Sequence, residues 1–209
     1  MQAFTFKTYF MKVGIIGSGI VGRVLGNAFL SEGYEVMLGS RHPSKAEIVE
    51  WKKENPQGQS GDFSETAAFG DLLVLAVGGA AASEAIRLAG PEHFQNKVVI
   101  DATNPIAPAP PDQGVLKFFT SLDESLMEKL QKEVPEAKFV KAFNSVGNAF
   151  MYKPAFPDGQ PTMFICGNDA EAKRQVTQIL DSFGWETEDM GAAAAARAIE
   201  PLCILWCIP

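Results

Sequence analysis

Gly17-Ser18-Gly19-Ile20-Val21-Gly22 is the stretch in which residue type and spacing first point to chemistry. Gly17 would permit a tight turn, Gly19 would let backbone approach a pyrophosphate, and Gly22 would let a helix pack closely on the preceding strand. The free N–H groups and the positive dipole end of a helix opening there would hold phosphate oxygens. The context makes the pattern specific, because an apolar run at residues 12–16 precedes it and an apolar-periodic helix through Leu30 follows, closed by Gly33.

The end of the next apolar run selects the dinucleotide. An acidic residue there would hydrogen-bond a ribose 2′-hydroxyl, as NAD sites require. This chain instead has Gly39-Ser40-Arg41, with Lys45 four residues on. A hydroxyl and a guanidinium suit a 2′-phosphate that an acid would repel, so NADP(H) is expected rather than NAD(H).

The groups that would act on a substrate are sparser. His42 falls beside the adenine end and His93 before a strand, so neither is placed as a general acid. Lys141 could donate a proton, but its position inside an apparent strand favours a salt-bridged lysine. There is no Ser-x-x-x-Tyr-Lys pattern, and no metal-ligand cluster is expected. The shortage of acids points to an acceptor that asks little proton transfer of the protein, such as a flavin-like ring. Polar residues at strand ends remain as candidates. Val77-Gly78-Gly79, Thr103-Asn104-Pro105 and Asn144-Ser145 should all lie on the sheet edge that carries the glycine loop. Asn104 and Asn144 could hydrogen-bond the nicotinamide amide or the acceptor, or could simply cap turns.

The elements that must position these groups alternate. Strand-like runs fall at residues 12–16, 35–38, 72–77, 97–101, 138–142 and 162–166, with a weaker one at 186–189. Most are apolar throughout, as strands buried on both faces of a parallel sheet are. Helices lie between them, with capping boxes read at Ser44-Lys45-Ala46-Glu47 and Ser121-Leu122-Asp123-Glu124, and a weaker cap at Asn168 with Glu171. The rhythm predicts an α/β, Rossmann-like, doubly wound and mostly parallel sheet with a short C-terminal helical segment. The expected division is an N-terminal extension at residues 1–10, an NADP-binding domain at 11–190 and a helical, dimerising segment at 191–209. Residues 104–119, with four prolines, break the rhythm directly after a strand; they are either a rigid surface connection or a ligand-facing loop. Beyond Gly191, five alanines should form a helix that Pro201 kinks or interrupts. The stretch from Leu202 to Ile208 is apolar all round and must be buried, by preference in a homodimer interface.

Composition excludes other classes. A formal net charge of −7 with scattered cations argues against nucleic acid or an anionic membrane as the main partner. Cys166, Cys203 and Cys207 are too few and too uneven for a disulfide framework, and are expected as buried, reduced thiols. Without a signal-like or membrane-spanning run, a cytoplasmic protein acting on a small molecule is expected.

From Met11 to about Trp206 the chain resembles the coenzyme F420-dependent NADP oxidoreductases. The resemblance rests on Gly17-Ser18-Gly19-Ile20-Val21-Gly22, on Leu38-Gly39-Ser40-Arg41 with Lys45, on the strand end running from Val98 to Asn104-Pro105, on Lys141-Ala142-Phe143-Asn144-Ser145 and on the closing Gly191…Arg197-Ala198-Ile199-Glu200 helix. It implies reversible hydride transfer between NADPH and the deazaflavin F420 or a flavin at the carboxyl edge of the sheet. It assigns Ser40, Arg41 and Lys45 to the 2′-phosphate and the terminal apolar segment to dimerisation. The full candidate cofactor set is Gly17, Ser18, Gly19, Ile20, Val21, Gly22, Ser40, Arg41, Lys45, Val77, Gly78, Asn104 and Ala142, with Asn104 and Asn144 as candidate catalytic residues. Two other readings stay open: an imine or carbonyl reductase of the pyrroline-5-carboxylate type, and a non-catalytic NADP(H)-sensing module.

Overall fold

The computed structural model describes residues 11–157 and 159–208; the expected extension at residues 1–10 lies outside them. Eight strands form one sheet: β1 (Lys12–Ile16), β2 (Glu35–Gly39), β3 (Gln59–Gly61), β4 (Leu72–Leu75), β5 (Val98–Asp101), β6 (Lys138–Lys141), β7 (Thr162–Gly167) and β8 (Glu186–Asp189). Their spatial order is β3-β2-β1-β4-β5-β6-β7-β8, and every neighbouring pair is parallel except β6 with β7. The helices are α1 (Ile20–Ser31), α2 (Ala46–Glu54), α3 (Phe63–Phe69), α4 (Ala82–Ala89), α5 (Leu126–Glu133), α6 (Ala170–Ser182), α7 (Ala196–Ile199) and α8 (Leu202–Trp206). This is the Rossmann-like α/β architecture that the alternation predicts.

Two cores follow from the period of two along each strand. Val13 and Ile15 of β1, with Leu72 and Val74 of β4, join Leu25, Phe29, Val176 and Phe183 on one face. Ile16, Leu73 and Leu75 point the other way, into a cluster with Phe63, Ile86, Phe94, Met127 and Ile199. The central strands are therefore apolar at every position because both faces are covered. From β1 the chain first winds outward to β2 and β3, then crosses to β4 on the other side. The carboxyl ends of β1 and β4 diverge at this switch point and leave a crevice.

Several local expectations are corrected. β3 escapes notice in the sequence because Gln59-Ser60-Gly61 is short, polar and at the sheet edge. Neither full capping box lies where it was read. Lys45, not Ser44, is the N-cap of α2 and makes no side-chain cap bond. At the second, Ser125 caps α5 in a reciprocal box with Glu128, while Ser121 only accepts from the Asp123 N–H. Asp169 rather than Asn168 caps α6, which frees Asn168 Oδ1 to accept the Ala193 N–H at 3.0 Å. A true box, Asp62 with Glu65, caps α3.

The proline-rich stretch folds back on itself as an irregular hairpin. Ile106 pairs with Phe118 and Asp112 with Val115, around Gln113 (φ 51°) and Gly114 (φ 85°), two successive positive φ values that suit a tight hairpin turn. The alanine run forms a 3₁₀ turn at Ala193–Ala195 before α7, and Pro201 separates α7 from α8. Of the C-terminal apolar residues Cys203 is buried, while Leu205, Trp206 and Ile208 are exposed. Leu202, Ile204 and Cys207 are half-buried, so the chain itself covers the segment only in part. Cys166 and Cys203 are buried and Cys207 is half-buried; all three are free thiols, and burial pushes Cys166 and Cys203 up to about 12.

Candidate functional site

The glycine loop forms the floor of the crevice. Gly17 has φ +127°, and a Cβ there would stand 2.4 Å from the Ala76 carbonyl oxygen at the end of β4. Only glycine can take this turn against the neighbouring strand. A Cβ at Gly22 would lie 2.0 Å from the Gly17 oxygen, so α1 can sit this close to its own loop only without one. At Gly19 and Gly78 a Cβ would meet no atom within 4 Å; both front open space in the crevice. Gly19 is also the N-cap of α1 and offers no side-chain acceptor. The first-turn N–H groups of a 12-residue helix are thus left for an anion.

The crevice has two connected parts, sharing Gly19, Ala76, Val77, Gly78 and Ala81. The first, about 290 Å³, is lined by Gly17, Ser18, Ser40, Arg41, His42 and Lys45 on one wall, and by Phe63, Ala81, Glu84, Ala85 and Leu88 opposite. Ser40 is nearly buried and its Oγ accepts the His42 N–H at 3.1 Å, which curls the loop after β2 around the cavity. Arg41 and His42 are exposed and Lys45 is half-buried, so a guanidinium, an imidazole and an ammonium group face one small volume. Glu84 pairs with Arg87 at 2.6 Å; Arg87 first, and Arg41 more weakly, hold its carboxyl below the ordinary range. The second part, about 460 Å³, is lined by Ile20, Val21, Gly79, Ala80, Ala102, Asn104 and Ile106. It is apolar, and Asn104 supplies the polar side chain among its described lining residues.

The residue donors and spaces therefore fit a 2′-phosphorylated dinucleotide: cations at one end, an uncapped helix start in the middle, and an apolar slot with one amide at the other. Gly17, Ser18, Gly19, Ile20, Val21, Ser40, Arg41, Lys45, Val77, Gly78 and Asn104 all line it. Gly22 acts behind the loop. Ala142 does not reach the crevice: it is fully buried in the core, and its N–H donates to the Asp101 oxygen at 3.1 Å. Asn144 is also buried, at 1% exposure, and touches Asn104 rather than the open cavity. Neither side chain lines the open crevice.

Beneath Asn104 lies a charged cluster. Lys141 is fully buried and its Nζ meets Asp101 Oδ2 at 2.8 Å, Glu200 Oε1 at 2.9 Å and the Thr103 carbonyl at 2.9 Å. Asp101 Oδ1 accepts from the Thr103 N–H (2.9 Å) and hydroxyl (2.6 Å). The Glu200 carboxylate accepts the Leu126 and Met127 N–H groups, both at 3.0 Å. Burial pulls the Lys141 pKa down, but the two carboxylates outweigh it and hold it above the ordinary value. A proton-donor role for Lys141 is thereby replaced by the salt-bridged one. Arg197 closes the outside, with bonds of 2.9 and 2.6 Å to Glu128.

The model of NADP oxidoreductases that are coenzyme F420-dependent matches residues 12–105. A solved structure from Arthrobacter sp., assigned as an F420-dependent NADP-reductase, is 33% identical, superposes with a TM-score of 0.88, and is matched over 94% of this chain and 91% of that one. The chain belongs to the F420-dependent NADP oxidoreductase family. That family is one of NADP-dependent oxidoreductases. The chain is also 30% identical over 203 residues to the metalloreductase STEAP3 of Rattus norvegicus, matching 95% of this chain but 38% of that protein. The chain thus spans little more than a third of the length of that relative. A pyrroline carboxylate reductase of Plasmodium falciparum with NADP bound shares the fold, at 17% identity and a TM-score of 0.55, over 86% of this chain and 57% of that one. No helix among the described residues of this F420-dependent oxidoreductase family member is long and apolar enough to cross a membrane.

Sequence reasoning about this family member missed Glu84, Ala85 and Leu88 on the crevice wall, because α4 carries no motif. It also missed Glu200. The signal available was a lone acid in an otherwise apolar C-terminal stretch, opposite a lysine inside a strand.

Proposed function

We propose that this protein transfers hydride between NADPH and a flavin-like acceptor, with the deazaflavin F420 foremost. The observation that supports it most is the second half of the crevice, apolar and open, with Asn104 and no titratable side chain among its described lining residues. Reduction of a carbonyl or imine calls for a positioned proton donor, whereas a flavin-like ring can exchange its proton with water at an open mouth.

When bound, NADPH supplies the hydride. In this reading the chain's own residues bind, orient and exclude water. The α1 N–H groups with Ser18 and Gly19 hold the pyrophosphate, and Ser40, Arg41 and Lys45 hold the 2′-phosphate. Val77 and Gly78 leave room for the ribose beside the nicotinamide. Asn104 holds the nicotinamide carboxamide, and Ile20, Val21 and Ile106 keep water from the face opposite the acceptor. Holding both reactants in place contributes much of the rate in such a transfer.

The test is NADPH oxidation by the protein with F420, FMN, FAD, a ferric chelate and pyrroline carboxylate offered in turn, and NADH as control. Turnover with F420 or FMN, and NADPH favoured over NADH, is the expected result. Turnover with pyrroline carboxylate alone, or none with any acceptor, overturns the reading. Arg41→Ala should weaken NADPH by about tenfold to a hundredfold, the range for losing charge-assisted hydrogen bonds; an equal loss for NADH would refute the 2′-phosphate assignment.

A further inference from the structure

Asn104 and Asn144 form a two-way pair. Asn104 Nδ2 donates to the Asn144 carbonyl at 2.7 Å, and Asn104 Oδ1 accepts from Asn144 Nδ2 at 3.2 Å. Asn144 Nδ2 also donates to the Ile199 carbonyl at 3.1 Å, on the last residue of α7. The orientation of the Asn144 amide follows from these partners. Turned over, it would set an oxygen against two acceptors.

The backbone is arranged for this pairing. Phe143, immediately before Asn144, has φ +63°, a value that a bulky residue seldom adopts. Such strain persists where the surroundings over-determine it. Phe143 is 1% exposed in the core and its N–H points to Met163 Sδ at 3.4 Å. On the other side, a Cβ at Gly79 would stand 2.0 Å from the Asn104 carbonyl oxygen, so the segment after β4 presses directly on Asn104. Asn104 is thus held from both sides, and its amide plane is set by a buried neighbour.

A primary amide has two N–H donors and two oxygen lone pairs. Pairing with Asn144 uses one of each, and Asn104 keeps one donor and one acceptor. A ligand that offers the complementary acceptor and donor together is itself a primary carboxamide, which the nicotinamide ring carries.

We infer that Asn144 is a positioning residue that acts through Asn104, fixing its amide plane and donor–acceptor sense so that Asn104 reads a carboxamide, with the Ile199 carbonyl of the C-terminal segment holding Asn144 in turn. This inference rests on the placement of nicotinamide in the second half of the crevice. It makes the C-terminal segment part of the site's construction, because the Ile199 carbonyl is the group that holds the second N–H of Asn144.

The test uses equilibrium binding by calorimetry of NADP+ and of its 3-acetylpyridine analogue, which keeps the carbonyl but lacks the amide N–H groups. The unaltered protein should prefer NADP+ by about threefold to tenfold, the value of one hydrogen bond. Asn144→Ala removes the side-chain donor to Asn104 Oδ1 but keeps the main-chain carbonyl that accepts from Asn104 Nδ2, and should at least halve that preference, chiefly by weakening NADP+. Asn104→Ala should abolish it while weakening both dinucleotides, NADP+ more. Should the alanine variant not fold, Asn144→Ser carries the same test, with a hydroxyl left for the Ile199 carbonyl. If Asn144→Ala keeps the preference, or weakens both dinucleotides alike, the positioning role is refuted while the hydride-transfer reading stands. If Asn104→Ala itself keeps the preference, the nicotinamide does not sit there, and both fall together.

Discussion

Glu200→Ala removes a carboxylate that meets three donors at once: Lys141 Nζ at 2.9 Å and the Leu126 and Met127 N–H groups at 3.0 Å each. All three contacts are buried. Breaking a buried pair by deleting one partner costs about 3–5 kcal/mol. Lys141 would retain Asp101 and the Thr103 carbonyl, which places the ionic part near the low end, about 3 kcal/mol. The two helix N–H groups add roughly 1 kcal/mol or more each if water cannot reach them. The expected loss is therefore about 5 kcal/mol, and at about 2–4 °C per kcal/mol for a chain of this length the melting midpoint should fall by roughly 10–20 °C. Glu200→Gln keeps one carbonyl oxygen for one of those donors and should cost roughly half as much. Lys141→Met leaves two carboxylates facing each other without a cation, so the double variant Lys141→Met/Glu200→Ala should be less destabilised than the sum of its parts, by about 1–3 kcal/mol. The pH dependence has a definite sign. Because Lys141 has a raised pKa in the fold, its contribution is complete below the ordinary 10.5 and is lost only as pH climbs through the higher folded value. Chemical denaturation of the three variants at neutral pH decides the matter. A Glu200→Ala loss under about 1 kcal/mol, or strict additivity in the double variant, would refute the view that this cluster fastens α7 and α5 to the sheet edge.

Three further outcomes are expected. Gly19→Ala should leave thermal stability nearly unchanged, since its Cβ meets no protein atom, yet weaken NADPH binding by tenfold or more (about 1.4 kcal/mol or above); Gly22→Ala, whose Cβ would lie 2.0 Å from the Gly17 oxygen, should instead destabilise the fold, and calorimetry of both variants checks the contrast. Arg197, through its two bonds to Glu128 and against some burial, holds that carboxyl at about 2 rather than 4.5, with help from Ser125. A lowered carboxylate stabilises above its unfolded pKa and stops doing so as pH falls through the folded one, so the unaltered protein should lose stability between pH 4.5 and about 2, and Arg197→Ala should flatten that limb in acid titrations followed by circular dichroism. We also propose a homodimer through residues 202–208; Leu205, 67% exposed, changed to Glu should yield monomers by light scattering, and a protein that is monomeric before any change refutes it.

The split between what was legible and what was not follows the range over which each signal acts. Strands β1, β2 and β4 to β7 are readable because two-faced burial demands an unbroken apolar run, and the glycine loop because turn, approach and packing each forbid a side chain at a fixed spacing. These constraints act within about ten residues. β3 is polar because it lies at the edge, so it lacks that signal. Caps were misread by one to four residues, since Ser, Asp and Asn recur near each helix start and only the fold decides which accepts. Lys141 and Glu200 are 59 positions apart in the numbering, Asn104 and Asn144 are 40, and neither pairing leaves a local pattern. Yet a lysine within an apolar strand cannot remain charged there without an acid brought from elsewhere, so Lys141 predicts that a partner exists while leaving its identity to the topology. The same reasoning reaches Asn144: a buried amide must find its acceptors, and here one of them is the Ile199 carbonyl, which fixes where the C-terminal segment can lie. Polar residues that seem misplaced in apolar stretches are in this fold the points where the C-terminal segment, α5 and the end of β5 are joined, and the crevice wall at Asn104 is built on that junction.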